Sequence, residues 1–277
     1  MSELAEKKLA LIAGNGVFPV LVARGAKAAG VEVVAVAHRG ETDPSIEDEV
    51  AEVTWVKVGE LGRTIRTFVA AGCDHAVLAG GIGKVRALSD VRPDLRGAAL
   101  LLKTRTLKDD RLLRGIADEL SKDGLPVVSS TRYLPELVPQ PGALTRKAPG
   151  RAALEDIALG RRVLAATGAF EIGQSVVVKG GLVYALEAVE GTDAAIRRGG
   201  EAAHGGAIVV KAAKPEQDLR FDVPAIGPGT IVQMQEVGAV VLAIEAGRTI
   251  VLDRPAVVAA AEAAGIRVFA FDPEEKP

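Results

Sequence analysis

Seven consecutive residues, Asp218-Leu219-Arg220-Phe221-Asp222-Val223-Pro224, set two carboxylates and a guanidinium at two-residue intervals among apolar side chains. In an extended strand, Asp218, Arg220 and Asp222 share one face while Leu219, Phe221 and Val223 share the other. The apolar face packs on a core, and the polar face offers acid, base and acid to a cleft. That order suits phosphate chemistry, because a guanidinium grips phosphate oxygens and a carboxylate holds a divalent ion. It equally describes a solvated strand face with two weak ion pairs. On a strand the Cα atoms of Asp218 and Asp222 stand ~13 Å apart. Carboxylates so placed do not share one magnesium ion, whose bonds are ~2.1 Å. A metal at Asp222 therefore needs Asp193 or Glu190 beside it, or substrate oxygens and water.

Other segments carry polar groups with phosphate-binding character. Gly14-Asn15-Gly16 follows the first expected strand, with Pro19 in the next helical turn. Glycines there let backbone amides approach an anion at a helix N-terminus. A dinucleotide fingerprint wants a third glycine and an acid ending the second strand. Here Pro19 and the pair His38-Arg39 occupy those places, and Arg39 suits a 2′-phosphate. Gly80-Gly81-Ile82-Gly83-Lys84 follows the fourth expected strand in the same way, and Val85 after Lys84 excludes a P-loop. Lys108-Asp109-Asp110 opens a helix, where acids commonly serve as caps. Glu190-Gly191-Thr192-Asp193 ends a strand and starts a helix, so Thr192 or Asp193 either caps it or binds. Lys214 and Gln217 lead into the Asp218 segment.

Elements must position these groups. Residues 8–13, 31–37, 53–58, 76–79 and 125–129 read as strands, and residues 18–29, 60–71 and 109–122 as helices. The alternation predicts a parallel, doubly wound, Rossmann-like sheet over residues 1–135. Proline and glycine crowd the next stretch, which reads as a linker at residues 136–150. A mixed α/β catalytic domain is expected over residues 151–277. It has helices at 151–166, 193–203, 230–236 and 254–264, and strands at 175–179, 182–190, 207–211, 219–223, 239–244, 249–252 and 267–271. Gly180-Gly181 marks a hairpin between the first two of those strands.

Bulk properties bound the function. The chain has 277 residues, 48% hydrophobic and 25% charged, enough for two cores. A net charge of −2 gives no global attraction to nucleic acid. A single cysteine, Cys73, excludes an internal disulfide and cysteine-rich metal sites. His38, His75 and His204 have no metal-ligand spacing, so a metal site would be oxygen-rich and suit Mg2+ or Mn2+. No secretory signal or long apolar span is read from the sequence, which points to the cytoplasm.

Taken in order, several segments resemble the LpxI-type UDP-2,3-diacylglucosamine pyrophosphatases of lipid A biosynthesis. They are Ile12-Ala13-Gly14-Asn15-Gly16 with Pro19, Lys108-Asp109-Asp110 before Leu112-Leu113, and Ile172-Gly173-Gln174-Ser175. Glu190-Gly191-Thr192-Asp193 and the run from Lys214 through Asp218, Arg220, Asp222, Pro224 and Gly227 complete the set. Asn15 departs from it, since an acid is expected there. The resemblance implies hydrolysis of UDP-2,3-diacylglucosamine to UMP and 2,3-diacylglucosamine 1-phosphate (lipid X). It also implies a magnesium requirement, a homodimer, and a lipid held between two domains. Asp222 is the match to the family's essential aspartate, with Asp218 and Asp193 as further catalytic candidates. Asp222, Asp193 and Glu190 are the metal candidates. Substrate contacts are expected from Gly14, Asn15, Gly16, Gly80, Gly81, Gly83, Lys84, Gln174, Gly191, Thr192, Lys214, Gln217 and Arg220.

A lipid substrate implies transient contact with the cytoplasmic face of the inner membrane. Residues 93–107 hold Leu95 and Leu100-Leu101-Leu102 between Arg92, Arg96, Lys103 and Arg105, a pattern that suits either an interfacial element or a core helix with a basic rim. Two other functions fit parts of the chain: an NADP-linked oxidoreductase using the first glycine turn and Arg39, and a non-catalytic nucleotide or lipid carrier.

Overall fold

A computed structural model describes residues 7–82, 92–104, 109–170 and 172–275, without the side chains of Asp109 and Asp110. Gly83, Lys84, Arg105 and Lys108, expected to contribute polar or basic groups, lie outside the described residues. The chain forms two compact units: Met1–Pro135 together with Asp218–Asp222, and Glu136–Gln217 together with Val223–Pro277.

The first unit alternates strand and helix: β1 (Lys8–Ala13), α1 (Phe18–Ala28), β2 (Glu32–His38), β3 (Glu52–Val56), α2 (Leu61–Ala70), β4 (His75–Ala79), α3 (Leu95–Thr104) and α4 (Asp109–Lys122). The strands pair in the order β3-β2-β1-β4, all parallel. Residues 33–37 of β2 are all buried Val and Ala, as a strand covered on both faces requires. Helix α2 turns Leu61, Ile65 and Phe68 to the core at i, i+4 and i+7. The expected strand at residues 125–129 shrinks to one parallel bridge, Ala76 to Val127. Pro126 has no N–H to give, although its carbonyl accepts from the Ala76 amide at 2.9 Å. Two residues after the bridge, the Ser129 hydroxyl accepts from the Thr131 amide at 3.3 Å and turns the chain out of the sheet.

The second unit is built on six strands in the order β5-β12-β10-β8-β6-β7. Its elements are β5 (Gly142–Ala143), α5 (Arg151–Gly168), β6 (Ser175–Lys179), β7 (Leu182–Leu186), α6 (Thr192–Ala203), β8 (Ile208–Lys211), β9 (Ala225–Ile226), α7 (Pro228–Glu236), β10 (Val241–Glu245), β11 (Ile250–Val251), α8 (Arg254–Ala263) and β12 (Arg267–Phe271). β8, β10 and β12 run parallel, while β5, at one edge, and β6 are antiparallel to their neighbours. Successive residues of one strand, Val209 and Val210, enter the cores on opposite faces of the sheet. The hairpin joining β6 and β7 turns at Gly180 and Gly181, both at positive φ. Asp156 of α5 secures it by accepting from both their amides, at 2.8 and 2.7 Å.

One expectation fails where it matters most. Residues 219–223 form no strand, and residues 218–222 fold as a single helical turn in which the Asp222 amide donates to the Asp218 carbonyl at 3.1 Å. The cause is local. The Asp218 carboxylate accepts from the Arg220 amide at 3.2 Å, an Asx turn that draws the backbone away from a strand. The short strand β9 begins after it and pairs with β11. The alternation of faces is therefore corrected: Asp218 and Asp222 are joined across one hydrogen-bonded turn and stand closer than the ~13 Å of an extended strand. The separation that forbade a shared ion disappears with the strand.

Candidate functional site

Three polar clusters hold the described site candidates. At the carboxyl edge of the first sheet, the loops after β1 and β4 clasp each other. The Gly14 amide donates to the Ala79 carbonyl at 2.8 Å, and the Asn15 amide donates to the Gly81 carbonyl at 2.7 Å. The Asn15 side chain spans further, accepting from the Gly81 amide at 3.3 Å and donating to Glu41 at 3.1 Å. A Cβ at Gly14 would sit 2.4 Å from the Gly81 carbonyl oxygen, and one at Gly80 would sit 2.3 Å from that of Asn15. Gly14 and Gly80 are thus demanded by the approach of two loops. Gly16 differs: its φ is +79° and nothing lies within 4 Å of its missing Cβ, so it leaves open space before α1. That helix has no side-chain cap at Val17.

Beside this clasp is a cleft of about 580 Å³ at the ends of β1, β2 and β3, lined by Gly16, Arg39, Thr42, Asp43 and Trp55 among others. Thr42 ties the loop after β2 to β1, accepting from the His38 amide at 2.9 Å and donating to the Ala13 carbonyl at 2.6 Å. His38 Nδ1 lies 2.9 Å from the same carbonyl, and burial pulls the imidazole below its usual pKa.

The turn at residues 218–222 belongs to the first unit, although its sequence lies far from the rest of it. The Ser130 amide donates to the Arg220 carbonyl at 2.8 Å, and Phe221 packs against the core that also takes Leu112, Leu113 and Ile116. Arg220 does not stand free for phosphate. It forks onto Asp218 at 2.9 and 2.7 Å, and its guanidinium lies 5.6 Å from the Phe221 ring centre. The Arg220 hydrogen bonds hold the Asp218 carboxyl below the usual carboxylate range. Asp222 is half-buried on the same turn.

The third cluster lies in the second unit, where a cleft of about 310 Å³ gathers Glu190, Gly191, Thr192, Asp193, Lys211 and Thr230. Lys211 was not foreseen. Its side chain ends the apolar strand β8, is only 8% exposed, and donates to the Thr192 hydroxyl at 3.0 Å. Thr192 in turn donates to Glu187 at 3.0 Å. A lysine closing the apolar run Ile208-Val209-Val210 was the available signal, because a buried ammonium needs partners. Glu190 is ion-paired with Arg198 at 2.6 Å, and its carboxyl is held below the usual range by its own backbone amide and by Arg198. Gln174 adjoins this network through its amide, 3.4 Å from Glu187. Lys214 and Gln217 close on each other, the Lys214 amide donating to the Gln217 side chain at 2.9 Å.

Among the described residues, no group of three or more His, Cys, Asp or Glu side chains is gathered as an all-protein metal cage. Two carboxylates one turn apart, Asp218 and Asp222, nevertheless fit magnesium, which is held by one or two carboxylates and completes its shell with water and substrate oxygens.

Comparison with known proteins is consistent across the chain. Residues 8–137 match the model of the LpxI N-terminal domain, and residues 140–269 match that of the LpxI C-terminal domain. A curated relative, "UDP-2,3-diacylglucosamine pyrophosphatase LpxI" of Caulobacter vibrioides, is 36% identical over 282 residues, covering 98% of this chain and 100% of the relative. Among solved structures, a Rhizobium etli pyruvate carboxylase aligns with a TM-score of 0.30 at 15% identity, over 61% of this chain and 14% of that one. The N5-carboxyaminoimidazole ribonucleotide synthetase of Thermotoga maritima aligns with a TM-score of 0.26 at 13% identity, over 66% of this chain and 42% of that one. Both likenesses are too slight to bear on fold or function.

Proposed function

The chain belongs to the LpxI family, and on that premise we propose that it hydrolyses the diphosphate bridge of UDP-2,3-diacylglucosamine. The products are UMP and 2,3-diacylglucosamine 1-phosphate, on the route to lipid A. The observation that carries this reading is the turn bearing Asp218, Arg220 and Asp222, held on the first unit by Ser130 and Phe221.

A diphosphate resists hydrolysis because its anionic oxygens repel the attacking oxygen. A magnesium ion held by Asp222, with Asp218 beside it, would neutralise part of that charge. Asp222 also orients the attacking water and accepts its proton as the new P–O bond forms and the bond from that phosphorus to the bridging oxygen breaks, the other phosphate departing with the bridging oxygen as an anion. Arg220 fixes the Asp218 carboxylate through two hydrogen bonds, which keeps the turn pre-organised. The uncapped start of α1 and the open side of Gly16 offer backbone donors to phosphate oxygens. In the second unit, Lys211 and Thr192 set a buried cation beside a hydroxyl, a pair that suits an anionic group, with Asp193 at the first turn of α6. Asp222→Ala is expected to bind substrate and lose turnover, and chelation by EDTA to abolish wild-type activity that added magnesium restores. Wild-type turnover in Asp222→Ala would remove that residue from the mechanism. Hydrolysis in oxygen-18 water, with UMP and the lipid phosphate analysed separately, identifies the phosphorus attacked.

The protein acts as a homodimer at the membrane surface in this reading. No helix among the described residues is long and apolar enough to cross a bilayer. Helix α3 supports surface contact instead: Leu95 and Leu102, seven residues apart on one face, are 93% and 78% exposed, while Leu100 is buried in the core. Flotation with vesicles containing anionic lipid tests it. Equal flotation of wild type and a Leu95→Ser, Leu102→Ser variant would remove α3 from that role.

A further inference from the structure

We infer that Asp74, His75 and Tyr133 are positioning residues, a brace on the chain segment that holds the turn bearing Asp218 and Asp222; the inference rests on the hydrolase reading and extends it. His75 opens β4 and is 1% exposed. An imidazole so buried is costly unless its ring nitrogens find partners. Here Nδ1 meets the Asp74 carboxylate, and Nε2 meets the Tyr133 hydroxyl at 2.5 Å.

The carboxylate fixes the direction of this chain of hydrogen bonds. Asp74 accepts from the amides of Lys7 and Lys8 through Oδ2, at 2.9 and 3.1 Å, and meets His75 through Oδ1. Burial opposes its charge, yet His75 and the two amides hold the Asp74 carboxyl below the usual carboxylate range. A carboxylate only accepts, so Nδ1 carries the hydrogen, and Nε2 of the neutral ring accepts from the Tyr133 hydroxyl. Tyr133 is thereby tied to the starts of β1 and β4. Helix α1 closes on it as well: a Cβ at Gly25 would sit 2.2 Å from the Tyr133 carbonyl oxygen. Carboxylate, imidazole and hydroxyl in this order also describe a hydrolytic triad. The group lies at the amino edge of the sheet, however, whereas ligands of parallel sheets bind at the carboxyl edge.

The grip reaches the turn within three residues. Ala76 bridges to Val127 and its neighbour His75 takes Tyr133, so two successive residues of β4 clamp both ends of residues 127–133. Ser130 stands midway, and its amide donates to the Arg220 carbonyl at 2.8 Å. The segment between the anchors is compact. The Arg132 amide donates to the Ser129 carbonyl at 3.1 Å, the Leu134 amide donates to the Thr131 carbonyl at 2.9 Å, and the Ser129 and Thr131 hydroxyls lie 2.8 Å apart. The Ser130 hydroxyl is buried with no hydrogen-bond partner among the described residues. A segment that keeps such a group inside is held there by its other contacts. Catalytic groups lose rate steeply when displaced by about 1 Å, even from a distance, so a clamp on Ser130 is a clamp on the carboxylates of the turn.

The test compares full-length Tyr133→Phe and His75→Leu with wild type. Asp156→Ala, which loosens a hairpin of the second unit, controls for a general loss of stability, and circular dichroism checks the fold of each variant. Hydrogen exchange followed by NMR is expected to show the Ser130 and Asp222 amides exchanging faster in Tyr133→Phe and His75→Leu, with the β1 amides unchanged. In both variants kcat for UDP-2,3-diacylglucosamine is expected to fall about 10- to 100-fold with KM unchanged. His75→Gln, which keeps a hydrogen-bonding nitrogen near the place of Nε2, is expected to recover most of that loss, and Asp156→Ala to keep wild-type kcat. Wild-type exchange at Ser130 and wild-type kcat in folded Tyr133→Phe and His75→Leu overturn the brace and leave the hydrolase reading standing. A kcat loss no greater than that of Asp156→Ala, or one without faster exchange at Ser130, also overturns it. Where His75→Leu fails to fold, Tyr133→Phe decides alone. Faster exchange at Ser130 and Asp222 in the variants of a protein whose wild type hydrolyses nothing upholds the brace and overturns the hydrolase reading.

Discussion

Replacing Gly80 by alanine tests whether the glycine loops exist to fit each other. Two costs are legible at this position. Gly80 has φ of +78°, a region that disfavours an L side chain by about 1–2 kcal/mol. The added Cβ would also lie 2.3 Å from the Asn15 carbonyl oxygen and 3.0 Å from both Gly14 C and Pro19 Cγ. Two of those atoms are backbone, so the loop itself must move, at about 1–3 kcal/mol. The sum is about 2–5 kcal/mol, or a fall in Tm of roughly 4–20 °C for a chain of this size. Gly16→Ala is the internal control. Its φ is +79° but nothing lies within 4 Å of the new methyl group, so only the first cost, about 1–2 kcal/mol, applies. Differential scanning calorimetry and urea titration of both variants measure the difference. If Gly80→Ala is no less stable than Gly16→Ala, the clasp is not the reason for glycine at position 80.

Arg220→Met should cost about 0.5–1 kcal/mol at pH 7, given the partial exposure of the pair. The folded pKa of Asp218 lies below its unfolded value of about 3.9. The ion-pair stabilisation is therefore present above that value and is lost as pH falls through the folded pKa. Urea titrations of wild type and variant should converge below about pH 4, and a gap that stays constant with pH contradicts the ion-pair account. Asp156→Ala leaves the amides of Gly180 and Gly181 without their acceptor and should lower stability by about 1–3 kcal/mol. An unchanged urea midpoint would mean that water replaces the carboxylate at no cost. Lys211→Met nearly conserves side-chain volume while removing the buried cation, so it should spare the fold and lower kcat/KM about tenfold or more. Wild-type kinetics in that variant would exclude the second cleft from substrate binding.

The amino-acid sequence by itself determined the elements whose cause is local. The apolar run of β2, the i, i+4, i+7 stripe of α2, and the Gly180-Gly181 turn each carry a period or a conformational demand that few structures satisfy. It also carried the ordered motifs that mark the family. Tertiary structure decided the rest. The alternation at Asp218, Arg220 and Asp222 is as regular as that of a strand, yet the Asp218 carboxylate captured the Arg220 amide and bent the segment into a turn. No local signal distinguishes the two outcomes, because a strand is stabilised by a partner that lies elsewhere in the chain. The same holds for Gly14 and Gly80, whose need for glycine comes from each other's loop, and for Trp55 and Arg39, sixteen residues apart in sequence, which line one cleft because β2 and β3 pair in register. Periodicity records what each residue requires of its neighbours in the chain, whereas a site is assembled from residues that only folding makes neighbours.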